Sequence, residues 1–447
     1  MLEGKKHIHF IGIGGSGMAP LAEILHDKGY YLTGSDNNPS DTLDHIKSLG
    51  IPVFMGQSAK NIQGADLIVH TAAIMSDNEE LIAAKNSGVP VLERSELFGI
   101  ISKQYSNAVC VCGTHGKTTT TAMLTQIVLD AGLDPTAVIG GKLASINGNG
   151  RVGKSDLMVC EACEFVDTFL KLYPDTCIML NIEEDHMDYF KTMDNLIKSF
   201  NKFASMATKK IIANGDDPEV YLALKGIEKP IITFGYTDKN DYYSENIVFH
   251  KGIHTSFDFM HNGKKIDTVD LYVPGRHNVL NATAVIAAAI DLGIPFEKIK
   301  SGMKNFKGAG RRFEVLGVKN GVTYVDDYAH HPAEIKVTLE AAKSMGFKRV
   351  IAVHQPFTFS RTKMHLDYFA QVLSIADKVV LSPIMGSREK NTYDIKSEDL
   401  ANKIENATVL DSFEDISNYV NSFAKEGDMV ITLGCGDIYK AAKLMLK

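Results

Sequence analysis

The chain has 447 residues, 45% of them hydrophobic and 23% charged, with a formal charge of −7. At roughly 100–200 residues per domain this length allows two to four domains, and the composition is that of an ordinary soluble globular protein. The net negative charge offers no basic footprint for nucleic acid, and no apolar run reaches the roughly 18 residues needed to span a bilayer, so the expected setting is the cytoplasm, away from membranes.

Lys5 and Lys6 precede an apolar run in the manner of a signal peptide, but Gly12, Gly14, Gly15 and Gly17 interrupt it within a few residues. The segment therefore reads as a strand entering a loop. Residues 7–13 are that strand, and 18–28 carry apolar residues at helical spacing (Met18, Leu21, Ile24, Leu25). Residues 30–33 make a second strand, ended by Gly34-Ser35-Asp36, and 67–71 and 89–92 make two more. Strands alternating with helices predict a parallel sheet covered on both faces.

The pattern restarts at Asn107, with a buried strand over 108–112, a glycine loop, and a helix over 119–131. Further strands are expected at 157–161, 176–182 and 210–213. Residues 241–273 are β-rich with a turn at His261-Asn262-Gly263, and read as an antiparallel appendage. An alanine-rich helix covers 278–292. A third α/β pattern follows, with strands at 322–326, 349–354, 378–382 and 429–432 and helices at 332–345 and 365–376. The fold class is therefore α/β in three domains, 1–106, 107–313 and 314–447.

Cysteines stand at 110, 112, 160, 163, 177 and 435. Cys160 and Cys163 form a C-x-x-C without a second pair, so reduced, mostly buried thiols are favoured over a metal or redox centre.

Gly12-Ile13-Gly14-Gly15-Ser16-Gly17 fits G-x-G-x-x-G between a strand and a helix. Such a loop brings backbone amides to a pyrophosphate, with Asp36 placed to meet a ribose hydroxyl. Spacing alone leaves open a nicotinamide cofactor, another diphosphate, or a glycine turn that binds nothing.

The second loop is more specific. Gly113, Thr114, His115, Gly116, Lys117 and Thr118 also lie between a buried strand and a helix. Amides there can wrap the phosphates of ATP, Lys117 can neutralise them, and the Thr118 hydroxyl can ligate Mg²⁺. Val111 stands where the usual first glycine of such loops belongs. Glu161, Glu164 and the run Glu183-Glu184-Asp185-His186 follow strand ends, where ligands of open α/β sheets bind. Arg276-His277-Asn278, Arg311-Arg312 and Asp326-Asp327-Tyr328-Ala329-His330-His331-Pro332 complete the polar clusters. The last of these reads as a substrate-facing loop in preference to a zinc site.

Taken in order, these segments resemble the Mur ligases over nearly the whole chain. The most telling are residues 9–18, 113–121, 161–164, 184–188, 275–278, 312–314, 326–332 and 434–437. The resemblance implies a Rossmann-like N-terminal domain for a UDP-sugar, a central P-loop ATPase-type domain, and a Rossmann-like C-terminal domain that receives the amino acid and closes on ATP. It implies an ATP-dependent ligase that joins L-alanine to the lactyl carboxylate of UDP-N-acetylmuramate through an acyl phosphate, in peptidoglycan precursor synthesis. Its cofactors would be ATP and Mg²⁺, with Mn²⁺ as a substitute, and the enzyme would act as a monomer or homodimer.

By the same resemblance Gly12, Gly14, Gly15, Ser16, Gly17, Asp36 and Thr71 would hold the UDP-sugar. Gly113 to Thr119, His277, Asn278, Arg312 and Asp327 would hold ATP. Thr118, Glu161 and His186 would surround metal, His331 and Arg361 would meet the amino acid, and Lys117, Glu161, His186 and His331 would carry the catalysis. One departure is visible. Gln355-Pro356-Phe357 places phenylalanine where many members carry histidine, which opens the choice among L-alanine, glycine and L-serine.

Overall fold

The computed structural model describes residues 2–250, 252–387 and 389–447, without the side chain of Asp188. Its strands form three sheets. In the first, Val53–Met55, Tyr31–Asp36, His7–Ile11, Leu67–His70 and Val91–Glu93 lie side by side in that order, all parallel. Winding reverses between His7–Ile11 and Leu67–His70, the position where open α/β sheets bind ligands at their carboxyl ends. The 12–17 loop leaves the sheet there.

Gly34, Ser35 and Asp36 do not end the second strand, as their turn-forming character suggests, but belong to it. Gly34 pairs with Phe10 and Val53, and a Cβ on it would lie 2.7 Å from the Ile13 side chain. The glycine is thus a packing requirement inside a strand.

The second sheet has ten strands and centres on Asn107–Cys112, flanked by Thr176–Met179 and Leu157–Glu161. Lys210–Asn214 and Ile231–Gly235 extend one side, and Thr136–Leu143 with Gly148–Arg151 the other. The β-rich appendage supplies Tyr242–Phe249, Thr255–His261 and Lys264–Leu271, with its turn at Asn262-Gly263 as expected. Helix Lys117–Asp130 is buried from Thr118 to Val128, so apolar periodicity has no polar face to contrast with. Its threonines are tolerated because the Thr121 and Thr125 hydroxyls donate to the carbonyls of Lys117 and Thr121, each at 2.8 Å.

The third sheet runs Glu314–Lys319, Val322–Asp327, Asp428–Leu433, Arg349–His354, Lys378–Leu381 and Ala407–Val409. Only the first pair is antiparallel. The helix expected over 365–376 is Leu366–Leu373, preceded by a separate short helix, Phe359–Met364.

The chain groups into two compact units. One comprises residues up to Glu245 with Phe259–Asp267 and Leu280–Asn305; the other comprises Asn246–Asp258, Thr268–Val279 and Phe306–Lys447. The first two sheets share a unit because a single apolar cluster runs through both, from Ile8 and Phe10 to Phe169, Phe200 and Phe203. Phe169 stacks on Phe203 at 4.6 Å and meets Phe200 edge-on at 5.3 Å, contacts that add to roughly 1.5–3 kcal/mol for burying each ring. Among the described residues no helix is long and apolar enough to cross a membrane.

Candidate active site

Two glycine loops stand at sheet ends in the first unit. In the 12–17 loop the amides of Gly12 and Ile13 donate to the Ser35 carbonyl, at 2.8 and 3.0 Å. The amide of Gly14 donates to Asp36 Oδ2 at 2.9 Å, and the other oxygen of Asp36 accepts from Asn38 N. Asp36, expected at a ribose, therefore also holds the loop in shape. Thr71 lies across the winding reversal, so close that a Cβ on Gly12 would lie 2.7 Å from its methyl group. The amides of Ser16 and Gly17 donate to nothing among the described residues, which leaves two donors for an anion.

The 113–118 loop is tied more tightly. Thr114 N donates to Asn181 O at 3.0 Å, His115 N to Asn181 Oδ1 at 2.8 Å, and Asn181 Nδ2 returns a bond to His115 O. Gly113 and Gly116 have φ of 142° and 85°, and a Cβ on Gly116 would lie 2.8 Å from Asn281 Oδ1. Both positions require glycine. Asn181 and Asn281 are the framework that sequence reading missed. Their only signal is position, one at a strand end and the other in a helix rich in alanine.

Lys117 turns back over this loop. Its ammonium donates to the carbonyls of Gly113 and Thr114, at 2.6 and 2.9 Å, and lies 2.8 Å from Glu164 Oε2. Burial, the largest single influence, would lower its pKa, but the charge and hydrogen bond of Glu164 together with the Cys163 and Glu161 groups outweigh it, and the net shift is upward. The amides of Gly116 and Lys117 have no acceptor among the described residues. A fixed cation beside outward-facing amides is a phosphate cradle.

Thr118 Oγ1 donates to Glu161 Oε1 at 3.1 Å, and Gly140 N donates to Glu161 Oε2 at 2.8 Å. A hydroxyl beside a carboxylate supplies the hard oxygen donors that magnesium takes. Of the expected metal set, Thr118 and Glu161 are thus bonded to each other. His186 gathers with Glu164 and Asp185, whose donor atoms all lie within 4.8 Å of one another. Lys117 and the Glu164–Asp185–His186 group therefore share a carboxylate. Asp188, part of the same sequence segment, has its side chain outside the described residues.

The backbone around this group is strained. Val166, Asp167 and His186 have φ of 52°, 56° and 54°, which non-glycine residues adopt at a cost of about 1–3 kcal/mol each. The Asp167 carboxylate accepts from Tyr189 Oη at 2.7 Å and from Ser199 Oγ, which pins the turn. The Phe165 ring lies 4.6 Å from that of His186.

The remaining expected residues belong to the second unit. Asn278 opens helix Arg276–Asp291 and donates through Nδ2 to Pro274 O at 2.6 Å. His277 packs against Gly275, whose φ is 97°. Adjacent arginines divide their work. Arg311 binds Asp326 at 2.9 Å and the Gly434 carbonyl at 2.6 Å, and its guanidinium lies over Tyr328 and Tyr439. Arg312 also lies over Tyr328, and its charge acts on Asp327.

Asp327 ends its strand and accepts from Phe313 N and Ala329 N, at 2.8 and 2.7 Å. Burial pushes its carboxyl up to about 6, against the opposing Arg312 charge. His331 caps helix Pro332–Ser344, with Glu334 completing the capping box. Phe357 meets His330 edge-on at 6.2 Å. Thr358, with φ of 62°, caps the helix that carries Arg361. The Arg361 guanidinium has neither hydrogen bond nor ion pair among the described residues, which leaves its fork open for a carboxylate.

The chain is similar throughout to known proteins. Family models match at residues 7–106 (Mur ligase family, catalytic domain), 111–289 (Mur ligase middle domain) and 311–436 (Mur ligase, glutamate ligase domain). A UDP-N-acetylmuramate–L-alanine ligase of Caldanaerobacter subterraneus is 44% identical over 452 residues, covering 100% of this chain and 98% of the relative. That of Agathobacter rectalis is 46% identical over 448 residues, covering 99% and 98%. The crystal structure of a UDP-N-acetylmuramate–alanine ligase from Thermotoga maritima superposes with a TM-score of 0.85 at 28% identity, covering 99% of this chain and 98% of that one. A murein peptide ligase from Psychrobacter arcticus gives 0.75 at 26%, with coverage of 99% and 98%. With all three α/β sheets accounted for and the relatives aligned end to end, the chain belongs to the Mur ligase family.

Proposed function

We propose that this ligase joins L-alanine to the lactyl carboxylate of UDP-N-acetylmuramate with cleavage of ATP to ADP and phosphate. The observation that carries the reading is the 113–118 loop closed over a half-buried, ion-paired Lys117, in a chain that follows L-alanine-adding relatives from end to end. A carboxylate does not acylate an amine unaided. Transfer of the γ-phosphoryl group to the lactyl carboxylate makes an acyl phosphate, which the amino group of L-alanine attacks before phosphate departs.

In this reading Lys117 and the amides of Gly116 and Lys117 hold the phosphates, and Lys117 offsets charge as the phosphoryl group moves. Thr118 and Glu161 hold one magnesium, and His186 with Glu164 and Asp185 offers a second set of donors. Magnesium there supplies charge neutralisation of the phosphate oxygens. Asn278 and His277 meet the adenine, and Arg312 and Asp327 complete the ATP set. Arg361 pairs with the carboxylate of the incoming amino acid, beside His331. Asp36 and the amides of Ser16 and Gly17 receive the UDP moiety.

The test is phosphate release with UDP-N-acetylmuramate, MgATP and each of L-alanine, glycine and L-serine. L-Alanine is expected to stimulate release most, with one amide formed per phosphate. Phe357, beside His330, favours keeping one further reading in the same assay, that of a ligase that loads a peptide on to the muramyl group. Stimulation by L-alanyl-γ-D-glutamyl-meso-diaminopimelate and by none of the three amino acids would replace the first reading with the second.

A further inference from the structure

Of the seven arginines described, five are engaged and two have a guanidinium with neither hydrogen bond nor ion pair among the described residues. One is Arg361, treated above. The other is Arg94, the first residue of helix Arg94–Ser102, which no sequence pattern singled out.

Its placement is specific. Strand Val91–Glu93 delivers it to the carboxyl end of the first sheet, the end from which the 12–17 loop also leaves. A capping box fixes the helix start: Glu93 accepts from Ser95 N at 3.0 Å, and Glu96 accepts from Glu93 N at 2.9 Å. Glu93 Oε2 is thereby engaged by Ser95, its Oε1 is buried without a hydrogen-bond partner, and neither oxygen forms an ion pair with Arg94. The Arg94 side chain lies along Gly17, where an added Cβ would sit 3.0 Å from its Cδ and 3.3 Å from Nη1. Gly17 has no left-handed backbone to require glycine, so its missing side chain makes room for the arginine. On the other side Arg94 lines a small cleft with Ser95, Glu161, Cys163 and Thr168. Both oxygens of Glu161 already accept hydrogen bonds, from Thr118 and Gly140.

A half-buried guanidinium without a counter-ion, in the first turn of a helix where the backbone dipole disfavours a cation, is a costly arrangement for packing alone. It suits an anion that arrives from outside. We propose that Arg94 is a substrate-binding residue, pairing with an oxyanion of the sugar nucleotide where it passes from the 12–17 loop towards Glu161. The inference rests on the proposed function for the identity of the substrate. That substrate has two such anions, the diphosphate and the lactyl carboxylate, and a planar fork suits either.

The experiment compares wild type, Arg94→Ala and Arg94→Lys in equilibrium titrations with UDP, UDP-N-acetylglucosamine and UDP-N-acetylmuramate, and in steady-state kinetics. Arg94→Ala should weaken UDP-N-acetylmuramate by about 10- to 100-fold, raise its KM in step, and leave the KM for ATP and the unfolding midpoint as in wild type. Lysine should restore only part of the affinity, because it keeps the charge and loses the fork. If the diphosphate is the partner, all three ligands weaken together. If the carboxylate is the partner, UDP and UDP-N-acetylglucosamine, which lack it, bind as before. Wild-type affinity of Arg94→Ala for all three ligands overturns the inference, as does an equal rise in the KM for ATP. Wild-type protein that binds UDP-N-acetylglucosamine but not UDP-N-acetylmuramate contradicts the functional reading instead.

Discussion

Lys117 is held by two carbonyls and a buried carboxylate, so its position is set before any phosphate arrives. Preorganised charge of this kind contributes most where charge moves in the transition state. Lys117→Ala is expected to lower amide formation by at least about a hundredfold while leaving UDP affinity intact, since the 12–17 loop makes none of these contacts. Phosphate release and a UDP titration measure the two quantities. Near-normal turnover would refute the assigned role. In the second unit, Asp327 and His354 form an opposed pair of titrations. The Asp327 carboxyl rises from the usual 3.8 to about 6 through burial, so between those values the folded state holds more protons and stability falls as pH rises. The fully buried His354 ring drops from the usual 6.5 to about 4, so there the unfolded state holds more protons and stability climbs with pH. Each spans roughly 3 kcal/mol over almost the same window, and together they nearly cancel. Asp327→Asn should remove one of the two opposed contributions, so that resistance to urea climbs more steeply from about pH 4 to 6.5 in the variant than in the wild type. Parallel profiles in the two proteins would show that Asp327 does not titrate in that window.

At the scale of elements, the first sheet contains a buried polar ladder that links two strands and a helix. His9 Nδ1 meets Thr33 Oγ1 at 2.8 Å, its Nε2 meets Glu80 Oε1 at 2.7 Å, and Ser35 Oγ donates to Glu80 Oε2 at 2.8 Å. Glu80, His9 and Ser35 are wholly buried, and the Ser35 carbonyl is the acceptor for the 12–17 loop. Glu80→Ala leaves two buried partners unsatisfied, and should cost about 3 kcal/mol in the urea unfolding of the unit that contains the first sheet, with Glu80→Gln losing less. Equal midpoints for all three proteins would argue against the ladder as a structural tie. The sequence could not reveal this ladder, because Glu80 is 71 residues from His9 and reads locally as a solvated acid at a helix start. The strand 157–161 was legible to the residue because apolar runs bounded by polar residues mark buried strands. Helix Lys117–Asp130 was legible in type but not in its start, since the loop lysine is already helical. Gly34-Ser35-Asp36 was misread because turn chemistry and a glycine forced by close packing look alike in one sequence. At the site, loop spacing pointed to Lys117 and Thr118, and a strand end pointed to Glu161. The gathering of His186 with Glu164 and Asp185 brings together two separate segments of the chain, which no spacing predicts.

The same device recurs in different sheets: a strand ends, the chain turns sharply, and groups follow that have no partner among the described residues. In the first sheet these are the amides of Ser16 and Gly17, in the second the amides of Gly116 and Lys117, and in the third the guanidinium of Arg361. Backbone donors left unpaired at a loop carry little protection against exchange until a ligand accepts from them. Separate ligands should therefore protect separate amides. Residue-resolved hydrogen exchange with UDP-N-acetylmuramate alone is expected to slow Ser16 and Gly17 and leave Gly116 and Lys117 near their unliganded rates. A non-hydrolysable ATP analogue with magnesium should produce the converse pattern. The controls are built into each loop, because Gly12 and Thr114 already donate to Ser35 and Asn181 and should change least. Protection of Gly116 and Lys117 by the sugar nucleotide, with Ser16 and Gly17 unaffected, would mean that the two loops had been assigned to the wrong nucleotides. The division of labour between the first and second sheets would then have to be exchanged.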